Sequence, residues 1–135
     1  MALRRPIQVP PNCDLTLGMR CIDKSTPGRS VWEMVAAEEF ANPAGILQGG
    51  LLGAFADSAM GAAAVTKAVG RKVFVANAEM KISFLAAVVI GDVLVCEASV
   101  ISGGSRVAFV EASITANGDR LVGRTSSTYL YRERQ

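Results

Sequence analysis

Residues 42–57 read Asn-Pro-Ala-Gly-Ile-Leu-Gln-Gly-Gly-Leu-Leu-Gly-Ala-Phe-Ala-Asp. This stretch decides the fold. A polar loop carrying Asn42 and Gln48 runs into a Gly-Gly pair, and then into a long apolar run holding one carboxylate, Asp57. The apolar run predicts a helix from Gly49 to Ala68, with Gly70 as its cap and Arg71 and Lys72 just beyond. A helix start offers unpaired N–H groups and a favourable dipole to an oxyanion.

That helix is apolar almost all round, as a buried helix is. It is built of small residues: Gly53, Ala54, Ala56, Ala59, Gly61, Ala62, Ala63 and Ala64. Small side chains let a sheet wrap closely around it. Its length is near the ~20 residues of a membrane span. Asp57 near its centre and Lys67 near its end argue against that reading, because a central charge is costly in lipid.

Outward from the helix, the period changes to two. On the N-terminal side, residues 1–15 read as an irregular lead-in and residues 16–24 are ambiguous. Thr26-Pro27-Gly28 is a turn, and residues 30–38 read as a strand that is apolar on nearly both faces. On the C-terminal side, residues 73–84 alternate. Phe74, Ala76, Ala78, Met80, Ile82 and Phe84 share one face; Asn77, Glu79, Lys81 and Ser83 share the other. Strands at 93–101 and 106–115 flank Ser102-Gly103-Gly104-Ser105. Ala116-Asn117-Gly118-Asp119 is a hairpin turn, and 120–131 is the last strand. The layout is strand, buried helix, four antiparallel strands: an α+β fold in one domain, 1–135. A single sheet leaves part of so apolar a helix uncovered, so a second copy is expected to cover it.

Composition narrows the chemistry. The chain has 135 residues, half of them apolar, a net charge of +2 and no histidine. That charge suggests neither nucleic-acid binding nor a polybasic membrane anchor. Without histidine there is no Ser-His-Asp or Cys-His nucleophile and no imidazole base or ligand. Cys13, Cys21 and Cys96 lack the spacing of a zinc site or a disulfide framework, so no metal is expected. Cys96 reads as a small core residue. The first residues hold no apolar core of signal-peptide length, which makes a cytoplasmic location the default expectation.

Asp57 has two readings. It is a solvated position on the helix's exposed strip, or a catalytic carboxylate whose apolar setting raises its basicity. Gly50 and Asp57 are separated by about 10 Å of helix rise. An oxyanion donor and a base must both lie near ~3 Å from one reacting carbonyl. If both act, Asp57 comes from one subunit and Gly50 from another, twice per two-fold dimer.

Asn-x-x-Gly-x-x-Gln-Gly-Gly followed by Asp57, with Lys81-Ile82-Ser83-Phe84-Leu85 and the final hairpin, resembles the hotdog-fold acyl-CoA thioesterases. The likeness covers roughly residues 30–131. It is closest to the phenylacetyl-CoA thioesterase-like branch of the 4-hydroxybenzoyl-CoA thioesterase superfamily. The resemblance implies hydrolysis of an acyl-CoA thioester at a subunit interface in a homodimer or homotetramer. No cofactor is implied, CoA being part of the substrate. Asp57 matches the family's nucleophile or general base, the Gly50 N–H the carbonyl-polarising donor, and Asn42 a residue that orients water or the carboxylate.

Gln48 stands where many relatives have His. Gln can donate a hydrogen bond but cannot take up a proton; its other reading is a simple loop-to-helix cap. Asn77 falls where relatives place Ser or Thr near the carboxylate, or is an exposed strand residue. Arg71, Lys72, Lys81 and Arg106, with Ser105 and its glycine neighbours, are the candidates for CoA phosphates; each also reads as a solvated group. Met34, Phe55, Met60, Phe74 and Phe84 line an acyl tunnel or are plain core. A non-catalytic acyl-CoA-binding or regulatory protein is the alternative function. A hydratase is weaker, because its usual acid–base pair includes a His.

Overall fold

The computed structural model describes residues 6–134. The chain forms α1 (Asn12–Leu17), β1 (Arg20–Asp23), β2 (Arg29–Val35), a 3-10 turn (Glu38–Phe40), α2 (Gly49–Lys67), β3 (Val73–Phe84), β4 (Val93–Gly103), β5 (Val107–Ala116) and β6 (Arg120–Glu133). One antiparallel sheet, ordered β1-β2-β4-β5-β6-β3, wraps around α2. This is the expected α+β hotdog architecture.

The small residues of α2 do what their size suggests. Ala56, Ala59, Ala63 and Ala64 have no exposed surface, and neither do Phe55 and Met60 beside them. The sheet approaches so closely that the Ser30 hydroxyl donates to the Ala59 carbonyl at 2.6 Å. A larger side chain at these alanines would overpack the core, at about 1–3 kcal/mol. Met34 also lies in this core, as does Cys96, whose burial pushes its thiol up to about 12. All three cysteines are free thiols.

The helix is not buried all round. Gly50, Ala54, Asp57 and Val65 form an exposed strip along one side, with Gly61 half-buried among them. Their spacing of three or four residues keeps them on one face.

Several boundaries differ from the sequence reading. The strand expected at residues 30–38 ends at Val35, and Glu38–Phe40 form the 3-10 turn instead. The irregular lead-in holds a short helix, α1, because Asp14 and Leu17 tuck inward and Gly18 (φ 72) ends the turn in the left-handed region. The ambiguous stretch after it supplies β1, paired with β2 across the Thr26–Arg29 turn. The helix ends at Lys67 with Ala68 as its cap, so Gly70 lies in the following turn instead.

The alternation in β3 is also broken. Its register with β6 slips between Asn77 and Glu79, a bulge that leaves Ala78 without a partner. Before the bulge, Val75 and Asn77 point at α2; after it, Met80 and Ile82 do. Asn77 and Lys81 therefore lie on opposite faces, where an unbroken period of two placed them together. A bulge re-aims side chains in this way.

The two hairpins are tight. Asn117 (φ 55) and Gly118 (φ 79) take the positive angles expected of the β5–β6 turn. At the β4–β5 turn a Cβ on Gly103 would lie 2.3 Å from the Val107 carbonyl oxygen, so only glycine fits.

Candidate active site

Three elements converge on Asp57. The bulge aims Asn77 of β3 at α2, and the inward alternation of β6 aims Tyr129 there as well. The Tyr129 hydroxyl donates to Asp57 Oδ1 at 2.6 Å and lies 3.0 Å from the Asp57 main-chain oxygen. The Asn77 amide donates to the same Oδ1 at 3.0 Å. No described residue donates to Oδ2. Tyr129 itself is 2% exposed. Burial, and next its hydrogen bond to Asp57, hold its phenol far above the usual range, so it stays a donor at any working pH.

Asp57 lies on the exposed strip of the helix and is anchored there by two side chains. It borders a cavity of about 550 Å³ whose walls include Trp32, Val65, Phe74, Asn77 and Tyr129. That volume suits a small-molecule site. The next residue, Ser58, donates to the buried Asp14 at 2.8 Å, which fastens α1 beside the carboxylate.

The helix start is a separate place. Among the described residues, neither the Gly49 nor the Gly50 N–H has an acceptor, while the Leu51 N–H bonds back to Gln48. Gln48 takes the N-cap position, but its side chain makes no cap bond; it folds over Gly50, with Oε1 3.2 Å from where a Cβ would sit. Asn42 serves its own loop: Oδ1 accepts from the Ala44 and Ile46 N–H groups at 2.9 and 3.1 Å. The Phe84 ring packs on Gly49 and lines a second cavity of about 360 Å³. Of the candidate tunnel residues, Phe74 and Phe84 line these cavities, whereas Met34, Phe55 and Met60 are core.

The candidate phosphate contacts divide. Arg71, Lys72, Ser105 and Arg106 gather at one end of the sheet. There the Arg71 guanidinium bonds Glu133 at 2.6 Å and the Ser105 carbonyl at 3.0 Å, and stacks over Tyr131. Lys72 and Arg106 are exposed. In the glycine turn beside them, the Gly104 N–H is already bonded to Val107. Lys81 is apart from this group, on the outer sheet face beside Glu111 and Arg124.

Sequence reasoning missed Tyr129, which lies 72 residues from Asp57. Its signal was faint. The alternation of β6 turns Tyr129 and Tyr131 inward together, and an inward tyrosine needs a partner for its hydroxyl. Tyr131 finds one in the Ala64 carbonyl, at 2.6 Å.

This arrangement of sheet, helix and carboxylate defines a class. The thioesterase superfamily model matches residues 44–131, and the chain belongs to that superfamily. Solved structures carry the same fold. The chain is 27% identical to a phenylacetic acid degradation-related protein from Ralstonia eutropha, with a TM-score of 0.80 over 93% of this chain and 92% of that one. It is 21% identical to the E. coli PaaI protein of the phenylacetic acid degradation operon, with a TM-score of 0.85 over 93% and 87%. A Streptococcus mutans protein, bound to acetyl CoA, is 15% identical, with a TM-score of 0.78 over 87% and 91%. No curated protein matches the chain in sequence. The expected family and branch are borne out.

Proposed function

We propose that the protein hydrolyses an acyl-CoA thioester to the free acid and CoA, at sites shared between two subunits. The observation that carries this reading is the Asp57 carboxylate. It is held through one oxygen, open at the other, and set at the edge of a 550 Å³ cavity. The superfamily supplies the reaction class, and the acetyl CoA held by the Streptococcus mutans neighbour suits a CoA-linked ligand.

In the water-activated route, Asp57 accepts a proton as water attacks the thioester carbonyl. The C–S bond then breaks, and the proton passes to the CoA sulfur. In the nucleophilic route, Asp57 attacks the thioester carbonyl, the C–S bond breaks and CoA leaves as the thiolate, which takes up a proton; water then opens the mixed anhydride to the free acid and the Asp57 carboxylate. In either route the carbonyl oxygen gains charge, and the Gly50 N–H of a partner subunit would meet it.

Two features support the shared site. Gly50 and Asp57 lie on the same exposed strip of α2, about 10 Å apart along its axis. The twelve-residue β3 is an edge strand beside that strip, open to a second copy. Antiparallel packing of two such strips would bring each Gly50 to the other subunit's Asp57. The assembly is then a homodimer or a pair of dimers. Arg71, Lys72, Ser105 and Arg106 would meet the CoA phosphates; Lys81 would need a separate contact.

The test is thiol release by wild type and Asp57→Ala against short, medium, long and aryl acyl-CoAs. Turnover should fall by at least about 10³-fold in the variant. Near-full activity in Asp57→Ala would remove Asp57 from the chemistry. Gln48, exposed and unable to take up a proton, favours one other reading, an acyl-CoA-binding protein. Saturable binding with no turnover by wild type on any member of the panel would favour it.

A further inference from the structure

The two oxygens of Asp57 are not equivalent. Both side-chain donors fall on Oδ1, and the shorter bond comes from Tyr129. Tyr129 is almost fully buried in β6, paired across the sheet with Ala108 on one side and Asn77 on the other. Its ring cannot swing away without opening the core. A hydroxyl fixed this way fixes the side chain it holds, whereas the longer Asn77 contact comes from beside a bulge.

We infer that Tyr129 is a positioning residue that ties Asp57 Oδ1 to the sheet and leaves Oδ2 as the oxygen that meets substrate or water. Its kinetic consequence rests on the hydrolase reading above; its structural consequence does not. A loose aspartate on an exposed helix strip would sample several rotamers, and misplacement by about 1 Å can cost on the order of 10²-fold in rate. Tyr129 removes that freedom from one direction only, so the other oxygen stays usable.

The same strand supplies a matched control. Tyr131 sends an equally short bond, 2.6 Å, to the Ala64 carbonyl of the same helix, two turns away. Tyr129 and Tyr131 both pin α2 to β6, and only Tyr129 touches the carboxylate. They are the only two tyrosines in the chain. Of the charged groups lining the Asp57 cavity, Asp14, Lys24, Arg71 and Arg134, Arg71 stacks on the Tyr131 ring, and Tyr131→Phe keeps that ring.

The experiment compares Tyr129→Phe and Tyr131→Phe with wild type in two readouts. In thiol release, Tyr129→Phe should lose about 10²-fold in kcat with KM little changed, and Tyr131→Phe should keep its kcat. In proton NMR, a downfield, slowly exchanging hydroxyl resonance should persist in Tyr131→Phe, vanish in Tyr129→Phe and move upfield in Asp57→Ala, which removes the carboxylate acceptor. Equal kcat losses in the two Phe variants would reduce Tyr129 to a helix anchor and overturn the proposal. So would a Tyr129→Phe enzyme with wild-type kcat, or a resonance left unchanged by Asp57→Ala. A wild type that binds acyl-CoA without turning it over would overturn the hydrolase reading, and the NMR comparison would still decide whether Tyr129 holds Asp57.

Discussion

The middle and the start of α2 are built on opposite principles. At Asp57 the chain gathers side chains from three elements, and the candidate reactive group is a carboxylate held by Tyr129 and Asn77. At Gly50 no described side chain caps the helix start. Asn42 is occupied with its own loop, Gln48 makes no cap bond, and the available groups are main-chain N–H donors. One region concentrates a negative charge, and the other offers donors to one. Both lie on one strip, too far apart to act on one atom. In the proposed mechanism a single subunit would carry two half-sites.

The most severe challenge to this comparison is a mixed oligomer. Asp57→Ala alone and Gly50→Pro alone should each lose about 10²-fold or more, since proline deletes the donor in a helix turn that tolerates it. When the two are co-expressed and the mixed dimer is isolated through two tags, one site per dimer should carry no defect. Activity should return to a large fraction of wild type. Mixed dimers no better than either parent would mean that the half-sites do not meet across subunits.

A smaller effect is expected at Asn77. Asn77→Ala removes one of the two donors to Oδ1, and a hydrogen bond to a charged group is worth about 1.5–3 kcal/mol. Steady-state kinetics should register a loss of roughly tenfold to a hundredfold in kcat. An unchanged rate would mean that Asp57 needs only the Tyr129 contact.

The smallest effect separates loop from chemistry at Asn42. Asn42→Ala should lower unfolding free energy by about 1 kcal/mol, because two loop N–H groups lose their acceptor. Asn42→Asp keeps that acceptor and should recover most of the stability in denaturant titration. If Asn42→Asp is as unstable as Asn42→Ala, the amide group and not Oδ1 holds the loop.

The helix, the strands from β3 onward and the Asn117-Gly118 turn were legible because each has a local cause. Small apolar residues, a period of two and a dipeptide tolerant of positive φ act within a few residues. Asp57 was legible for the same reason: a lone carboxylate in an apolar run stands out. The helix α1 was not, since six residues are too few to show a period. Asn77's orientation was hidden because a bulge resets alternation without leaving a mark in composition.

The sequence by itself determined a helix of small residues, a sheet to wrap it and the one carboxylate on that helix. Only the tertiary structure decided which side of the helix stays uncovered, which way β3 faces beyond its bulge, and that a tyrosine 72 residues away holds Asp57. The first set follows from propensity and pattern along the chain. The second depends on strand register, and register is fixed only when separate strands pack together around the helix.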